Sequence, residues 1–230
     1  DNIDLDAARE LGVRVVNSPQ ATTLAVAEHA LGLMLALARG IPRADASMKA
    51  GVWIKKELEG VELSGKTLGI VGVGNIGAAL ASRAAALGMR VTGYDPFLSQ
   101  DAIRRRGAEA VTLDELYAGA DFISLHVPLT GETRGMLGEQ ALAKMKPGVR
   151  IVCTARGGLI DEAALLQALE VGQVAGAALD VFAEEPPGAT RLVRHPRVIA
   201  TPHVAAQTVE AQQRAAVDIA MEVLRALRGE

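Results

Sequence analysis

The stretch Thr67-Leu68-Gly69-Ile70-Val71-Gly72-Val73-Gly74-Asn75-Ile76-Gly77, followed by Arg90-Val91-Thr92-Gly93-Tyr94-Asp95, decides the fold of this chain. It reads as strand, tight glycine turn, helix, second strand and acidic residue, the order that dinucleotide binding requires. Gly72 lets the chain turn sharply out of the strand. Gly74 removes a side chain where a pyrophosphate must approach the backbone, and Gly77 lets the helix pack close to the strand. The helix points free N–H groups and the positive end of its dipole at the phosphates. Asp95 lies 18 residues beyond Gly77, where an acid accepts hydrogen bonds from the adenosine ribose hydroxyls. No arginine follows it closely; Arg104 is the first. A 2′-phosphate would meet a carboxylate, so the pattern favours NAD over NADP.

Working outward, expected strands at 67–71, 90–94, 121–127, 150–154, 174–179 and 198–201 alternate with expected helices at 76–87, 100–106, 113–118, 139–144, 161–171 and 207–227. Such alternation makes an α/β fold, a doubly wound parallel sheet of the Rossmann type with ligands at the carboxyl ends of its strands. Upstream, the segment from Thr22 to Arg39 is apolar on nearly every face. It reads as a buried helix, packed between layers or at a subunit contact. Pro42 breaks it, a shorter helix follows over 43–50, and Val13-Arg14-Val15-Val16 reads as a strand. Lys55 and Lys56 read as a solvated loop.

Among 230 residues, 50% are hydrophobic and 3% aromatic, so the core is built from Ala, Val, Leu and Ile. A net charge of −3 gives no electrostatic reason to expect a nucleic-acid partner. The basic run Arg104-Arg105-Arg106 reads as the solvated face of a short helix. A single cysteine, Cys153, excludes an internal disulfide and a cysteine-rich metal site. No metal is expected, and a reducing cytoplasm is the default compartment. The apolar run from Ala30 to Ala38 is too short to span a bilayer. The apolar flank of the 22–39 helix argues for a homodimer through that helix.

Four segments fall at expected strand ends beyond the glycine loop: His126-Val127-Pro128, Thr154-Ala155-Arg156-Gly157-Gly158, the run from Asp180 to Pro187, and Thr201-Pro202-His203. In a parallel sheet they converge on one edge. Each alone also fits a structural role, such as a helix cap or a satisfied core histidine. Together they offer an arginine, a carboxylate and an imidazole beside a nicotinamide. Hydride transfer from an alcohol needs a base for the hydroxyl proton, which His supplies near neutral pH. A carboxylate bonded to that imidazole fixes its tautomer and stabilises its protonated form. An arginine fork grips a substrate carboxylate through two oxygens.

These segments resemble the D-isomer-specific 2-hydroxyacid dehydrogenase family, and most closely its D-3-phosphoglycerate dehydrogenase branch. The resemblance covers essentially the whole chain. It runs in one order through Asp1-Asn2-Ile3-Asp4, Asn17-Ser18-Pro19, Ala27-Glu28, Gly65 to Gly77, Tyr94-Asp95-Pro96, His126 to Thr130, Met145-Lys146-Pro147-Gly148, Ala155 to Asp161, Asp180-Val181-Phe182, Glu185-Pro186-Pro187 and Thr201-Pro202-His203. It implies that Arg156 binds the substrate carboxylate, that Glu185 orients His203, and that His203 exchanges the proton with the C2 oxygen. Glu184 is the competing carboxylate. For NAD it implies Asn75 and Ile76 at the pyrophosphate, Asp95 at the ribose, and Thr154, Ala155 and Arg156 along the nicotinamide. Asp180 would accept from the carboxamide, His203 and Ala206 would flank the ring, and Gly72, Gly74, Gly77, His126 and Pro128 complete the cofactor set. For the lone tryptophan, Trp53, the resemblance implies a subunit contact, and packing in its own core is the alternative. Cys153 stands where the family often has Asn, and Ala205 adds a methyl where it usually has Gly-Ala-Ser.

The implied reaction is oxidation of 3-phospho-D-glycerate to 3-phosphooxypyruvate, with a small 2-hydroxy acid as the partner. Glyoxylate or hydroxypyruvate reductase and D-lactate dehydrogenase are alternatives. An NAD-sensing binding protein like the corepressors of this fold is the alternative of another class. The expected domains are 1–20, a hinge and remnant of a substrate domain; 21–206, the NAD-binding domain; and 207–230, a helix returning to the substrate domain. The chain opens at Asp1 without methionine, and the substrate domain is expected to be largely absent, leaving a portion with little activity alone.

Overall fold

A computed structural model describes residues 3–228; Asp1 and Asn2 of the expected hinge motif, and Gly229 and Glu230 of the last expected segment, lie outside the described residues. The chain forms one seven-stranded sheet in the order β3-β2-β1-β4-β5-β6-β7, parallel throughout. The strands are β1 Thr67–Val71, β2 Arg90–Tyr94, β3 Glu109–Ala110, β4 Phe122–Leu125, β5 Val149–Cys153, β6 Val174–Leu179 and β7 Val198–Ala200. The two-residue β3 is too short to show a period and was not expected from sequence. The helices are α1 Leu5–Glu10, α2 Thr23–Arg39, α3 Ile41–Lys49, α4 Asn75–Ala86, α5 Gln100–Arg105, α6 Leu113–Gly119, α7 Glu139–Lys144, α8 Glu162–Glu170 and α9 Val209–Arg228.

Side chains alternate along each strand between two cores, as the strand period demands. Leu68 and Ile70 of β1, Phe122 of β4, Val152 of β5 and Ala178 of β6 join α2, α4 and α5 on one face. Val71, Ile123, Leu125, Ile151, Cys153 and Leu179 join α6, α7 and α8 on the other. Every residue of β1 and β4 is buried. The chain leaves β1 towards β2 and β3, then returns to place β4 on β1's other side. That reversal opens a crevice between the carboxyl ends of β1 and β4, where open parallel sheets bind ligands.

Four expectations are corrected. The segment 13–16 forms no strand among the described residues and takes no part in the sheet's pairings, and a strand needs such ladder bonds. Instead α1, which the sequence reading missed, precedes it, capped by the Asp4 side chain on the Asp6 and Ala7 N–H groups. Gly40, in the left-handed region at φ 61°, ends α2, while Pro42 sits inside the first turn of α3, where its missing N–H costs nothing. Finally, α2 is not buried all round. It buries Ala27, Ala30, Leu33, Met34 and Ala38 but exposes Leu24 and Leu35. Trp53 is 75% exposed, which removes the own-core reading.

Asp161 caps α8 by accepting from the N–H groups of Ala163 and Ala164, each at 3.0 Å. Glu162 of the same turn accepts from Ala183 N at 2.7 Å, tying α8 to the loop that carries Glu185. Asp161→Ala is expected to cost about 1 kcal/mol in urea unfolding; no loss would mean the cap contributes nothing.

Candidate active site

Three glycines perform three separable tasks at the crevice. Gly72 has φ 92°, and a Cβ there would lie 2.8 Å from the backbone of His126. A Cβ on Gly77 would lie 2.3 Å from Gly72 O, so α4 seats directly on the turn. A Cβ on Gly74 would meet nothing within 4 Å, which leaves open the space a phosphate would use. No side chain caps α4 and no acid lies in its first turn. Its leading N–H groups therefore offer the positive helix end to an anion.

Asp95 stands beside this turn. Its Oδ2 accepts from Val73 N and its Oδ1 from Phe97 N, both at 3.0 Å, which fixes the carboxylate against the loop. Gly72, Gly74, Asp95, His126 and Pro128 line one cleft of about 580 Å³. Thr154, Ala155, Arg156, Asp180, His203 and Ala206 lie at neighbouring strand ends outside it, where the edge is open. A cavity of about 460 Å³, lined by Arg39, Arg43, Arg150 and Arg197 among others, sits at the opposite ends of β5, β6 and β7, away from this chemistry.

His203 and Glu185 come together: His203 Nδ1 lies 2.8 Å from Glu185 Oε2. Glu185 Oε1 accepts from Phe182 N at 3.0 Å, so one carboxylate is held from two sides. Burial pushes this carboxyl up, but the bonds from His203 and Phe182 outweigh it and hold it below the usual range. His203 itself occupies the left-handed region at φ 54°. Its backbone N–H donates to Asp180 O at 2.9 Å.

Asp180 organises that strained loop. Its side chain is fully buried. Oδ1 accepts from Thr201 Oγ1 at 2.5 Å and Val204 N at 3.0 Å, and Oδ2 accepts from Ala205 N at 2.8 Å. His29 Nε2, on α2, lies 3.2 Å from Thr201 Oγ1 and 3.5 Å from Asp180 Oδ1. Burial raises this carboxyl's pKa; His29, Thr201, Val204 and Ala205 more than reverse that, and it lies below its ordinary value. Ala205 is 4% exposed, so the methyl that departs from the family pattern points into the protein.

Arg156 is exposed, on the loop that follows β5, with Nη1 donating to Ala155 O at 2.7 Å. The next residue brings that loop to the others: a Cβ on Gly157 would sit 1.6 Å from Phe182 O. The arginine loop thus lies against the turn that presents Glu185. Beneath it Cys153 is buried, its thiol pushed up to about 11 by burial, which keeps it protonated and unreactive at neutral pH.

His126 lies under the glycine turn, with Nε2 2.9 Å from Ser124 Oγ and Nδ1 buried without a partner. Thr154 Oγ1 is likewise buried and unpartnered. Orphaned polar atoms of this kind, together with the open space over Gly74 and the uncapped α4, fit a dinucleotide. Burial pushes the His126 imidazole down to about 4. Folding therefore opposes its protonation: its contribution is complete above the unfolded value near pH 6.5 and is lost as pH falls towards 4. About 2 kcal/mol should disappear between pH 7 and pH 5. His126→Gln is expected to flatten that part of the pH dependence in urea titrations; an unaltered slope would put the imidazole in water. The carboxyls of Asp180 and Glu185 join the loss only below about pH 4.5.

The sequence reading missed Ser124, His29 and Arg106 as members of the site. A serine inside the apolar strand Phe122–Leu125, and a histidine entering an apolar helix, are each polar groups where burial demands a partner. Arg106 corrects the solvated-face expectation: Arg104 and Arg105 are exposed, but Arg106 is half-buried and donates to Val73 O at 2.8 Å.

An open parallel sheet with a glycine turn, an uncapped helix and an acid at its switch point defines a Rossmann-type dinucleotide-binding protein. The chain belongs to the D-isomer specific 2-hydroxyacid dehydrogenase, NAD binding domain, family, which matches residues 31–205. It is 50% identical over 229 residues to D-3-phosphoglycerate dehydrogenase of Bacillus subtilis (strain 168), covering 100% of this chain and 44% of that protein. Among solved structures it is similar to a glyoxylate reductase from Paecilomyes thermophila (TM-score 0.89, 42% identity, 94% of this chain and 66% of that one). It is also similar to D-lactate dehydrogenase from Aquifex aeolicus, solved with NAD and lactic acid (TM-score 0.89, 34% identity, 100% of this chain and 74% of that one). The chain therefore spans less than half the length of the curated relative. No single helix among the described residues is long and apolar enough to cross a membrane.

Proposed function

We propose that this chain binds NAD and supplies Arg156, Glu185 and His203 to the oxidation of a D-2-hydroxy acid, with 3-phospho-D-glycerate as the substrate. The observation that carries this reading is the Glu185–His203 pair, 2.8 Å apart on the strand-end edge that also holds the glycine turn. Bound NAD supplies the acceptor for the hydride that leaves C2. Because Nδ1 of His203 faces Glu185, Nε2 is the nitrogen left to take the hydroxyl proton. Glu185 stabilises the imidazolium that results. Arg156 grips the substrate carboxylate through two oxygens.

Within the cofactor set, Asn75, Ile76 and Gly77 would donate backbone N–H groups to the pyrophosphate and Asp95 would accept from the ribose. Thr154, Ala155 and Ala206 would border the nicotinamide. Asp180 is the proposed carboxamide acceptor, a contact that requires the 203–206 loop to shift, because its carboxylate is closed off in this geometry. Residues 21–206 form the proposed NAD-binding domain. Segment 1–20 and the last helix belong together outside it, as the bonds from Ser18 Oγ to Asp218 and from Arg14 Nη1 to Ala226 O support. Exposed Leu24 and Leu35 on α2 support a second copy of the chain as partner, and the cytoplasm is the proposed compartment.

The roughly 50% identity to D-3-phosphoglycerate dehydrogenase favours that substrate, while the likeness to a glyoxylate reductase keeps glyoxylate and hydroxypyruvate as competitors. Calorimetry with NADH, beside turnover assays of NAD with 3-phospho-D-glycerate and of NADH with glyoxylate and pyruvate, tests the reading. We expect NADH binding, slow turnover by the chain alone, and loss of turnover without loss of binding in His203→Asn. Binding with turnover indifferent to His203 would leave a cofactor-sensing protein instead.

A further inference from the structure

The glycine turn beside the cleft holds a cation that the glycine fingerprint does not announce. Arg106 follows α5 as its C-cap residue, and its Nη1 donates to Val73 O at 2.8 Å. Val73 lies between the first two glycines of the turn, and its own N–H donates to Asp95 Oδ2 at 3.0 Å. A single residue's backbone therefore holds the Asp95 carboxylate on its N–H and the Arg106 guanidinium on its carbonyl. A guanidinium has five N–H donors in a planar fork; one is spent on Val73, and the fork remains suited to a phosphate.

The placement is stiff. Ile103 and Ala108, on either side of Arg106 in the chain, are each 4% exposed. A Cβ on Gly93 would meet Val73 Cγ2, Ala108 Cβ and Ile103 Cγ2 at 2.8, 2.9 and 3.2 Å, so α5 and its exit press directly on β2 and the glycine turn. The backbone N–H of Arg106 is bonded to Ile103 O at 3.0 Å. Arg104 faces elsewhere, paired with Asp101 and Gln100.

Asp95 and Arg106 act oppositely on a phosphate esterified to the adenosine ribose. The carboxylate repels it, and the guanidinium would grip it in a charge-assisted, two-point contact. We propose that Arg106 is a latent 2′-phosphate-binding residue, masked by the charge of Asp95, so that the choice of NAD over NADP rests on that one carboxylate. The inference rests on the dinucleotide-binding reading and adds to it the pair of residues that sets which dinucleotide is accepted.

Fluorescence titration with NADH and with NADPH tests it in five proteins: the unaltered chain, Asp95→Ser, Asp95→Asn, Arg106→Gln and Asp95→Ser/Arg106→Gln. Asp95→Asn keeps an acceptor for Val73 N, and so guards against a disturbed turn in the serine variant. Removing the carboxylate should raise NADPH affinity relative to NADH by about tenfold or more, and Arg106→Gln should abolish that gain. In the unaltered background, Arg106→Gln should weaken NADPH more than NADH. A double variant that holds NADPH as tightly as Asp95→Ser would overturn the role of Arg106. So would NADH-binding Asp95 variants, serine and asparagine alike, that gain nothing for NADPH. If the unaltered chain bound neither dinucleotide, the dinucleotide-binding reading itself would fail and the inference with it.

Discussion

Gly157→Ala is expected to destabilise the chain by about 3 kcal/mol or more, because the added methyl overlaps backbone rather than a mobile side chain. The new Cβ would lie 1.6 Å from Phe182 O and 2.2 Å from Phe182 C. Relief comes only by parting the arginine loop from the turn that holds Glu185. Urea unfolding measures the cost. Gly119→Ala is the control: its Cβ meets nothing within 4 Å at the end of α6, so it should be neutral or mildly stabilising. Equal stabilities for the two variants would mean that the loops after β5 and β6 do not touch.

Gly77→Ala should combine a similar loss of stability, about 3 kcal/mol, with a fall in NADH affinity of about a hundredfold, since a misplaced donor array loses its ligand steeply. Its Cβ would lie 2.3 Å from Gly72 O and 3.1 Å from Ile70 Cγ2, so α4 must lift off β1 and its leading amides lose their aim. Gly74→Ala separates the two effects. That Cβ enters open space at an ordinary φ of −71°, so stability should hold to within about 1 kcal/mol, while the methyl fills the phosphate's approach and binding falls. Urea titration and calorimetry on both variants check this. Gly77→Ala binding NADH normally would detach the helix from the site.

The glycine turn and the order of strands and helices were legible in the sequence because each rests on local chemistry, whereas the choice of Glu185 over Glu184 as partner of His203 came from the family resemblance. A glycine that must turn, a strand period that switches to a helical one, and polar residues at strand ends all leave marks within a few positions. What escaped depends on distant partners. Whether Val13 to Val16 pairs as a strand is settled by which edge lies beside it, which no local pattern encodes. Arg106 read as solvated because its neighbours Arg104 and Arg105 are; packing of Ile103 and Ala108 against Val73 turns it inward. His29 lies 172 residues from Thr201 in the chain, yet they are 3.2 Å apart. Such a contact is visible only once α2 lies across the sheet. Asp180 read as a cofactor contact, and its backbone-binding work on the His203 loop emerged only from geometry.

The central claim is that a dinucleotide lies across the amide-lined start of α4 at the β1–β4 crevice. Following backbone amide resonances during an NADH titration tests it most directly. The account predicts that Asn75, Ile76 and Gly77 move first and farthest, with Val73, Asp95 and His126 close behind. Shifts centred on the arginine-lined cavity at the opposite ends of β5, β6 and β7, or none at all, would contradict it.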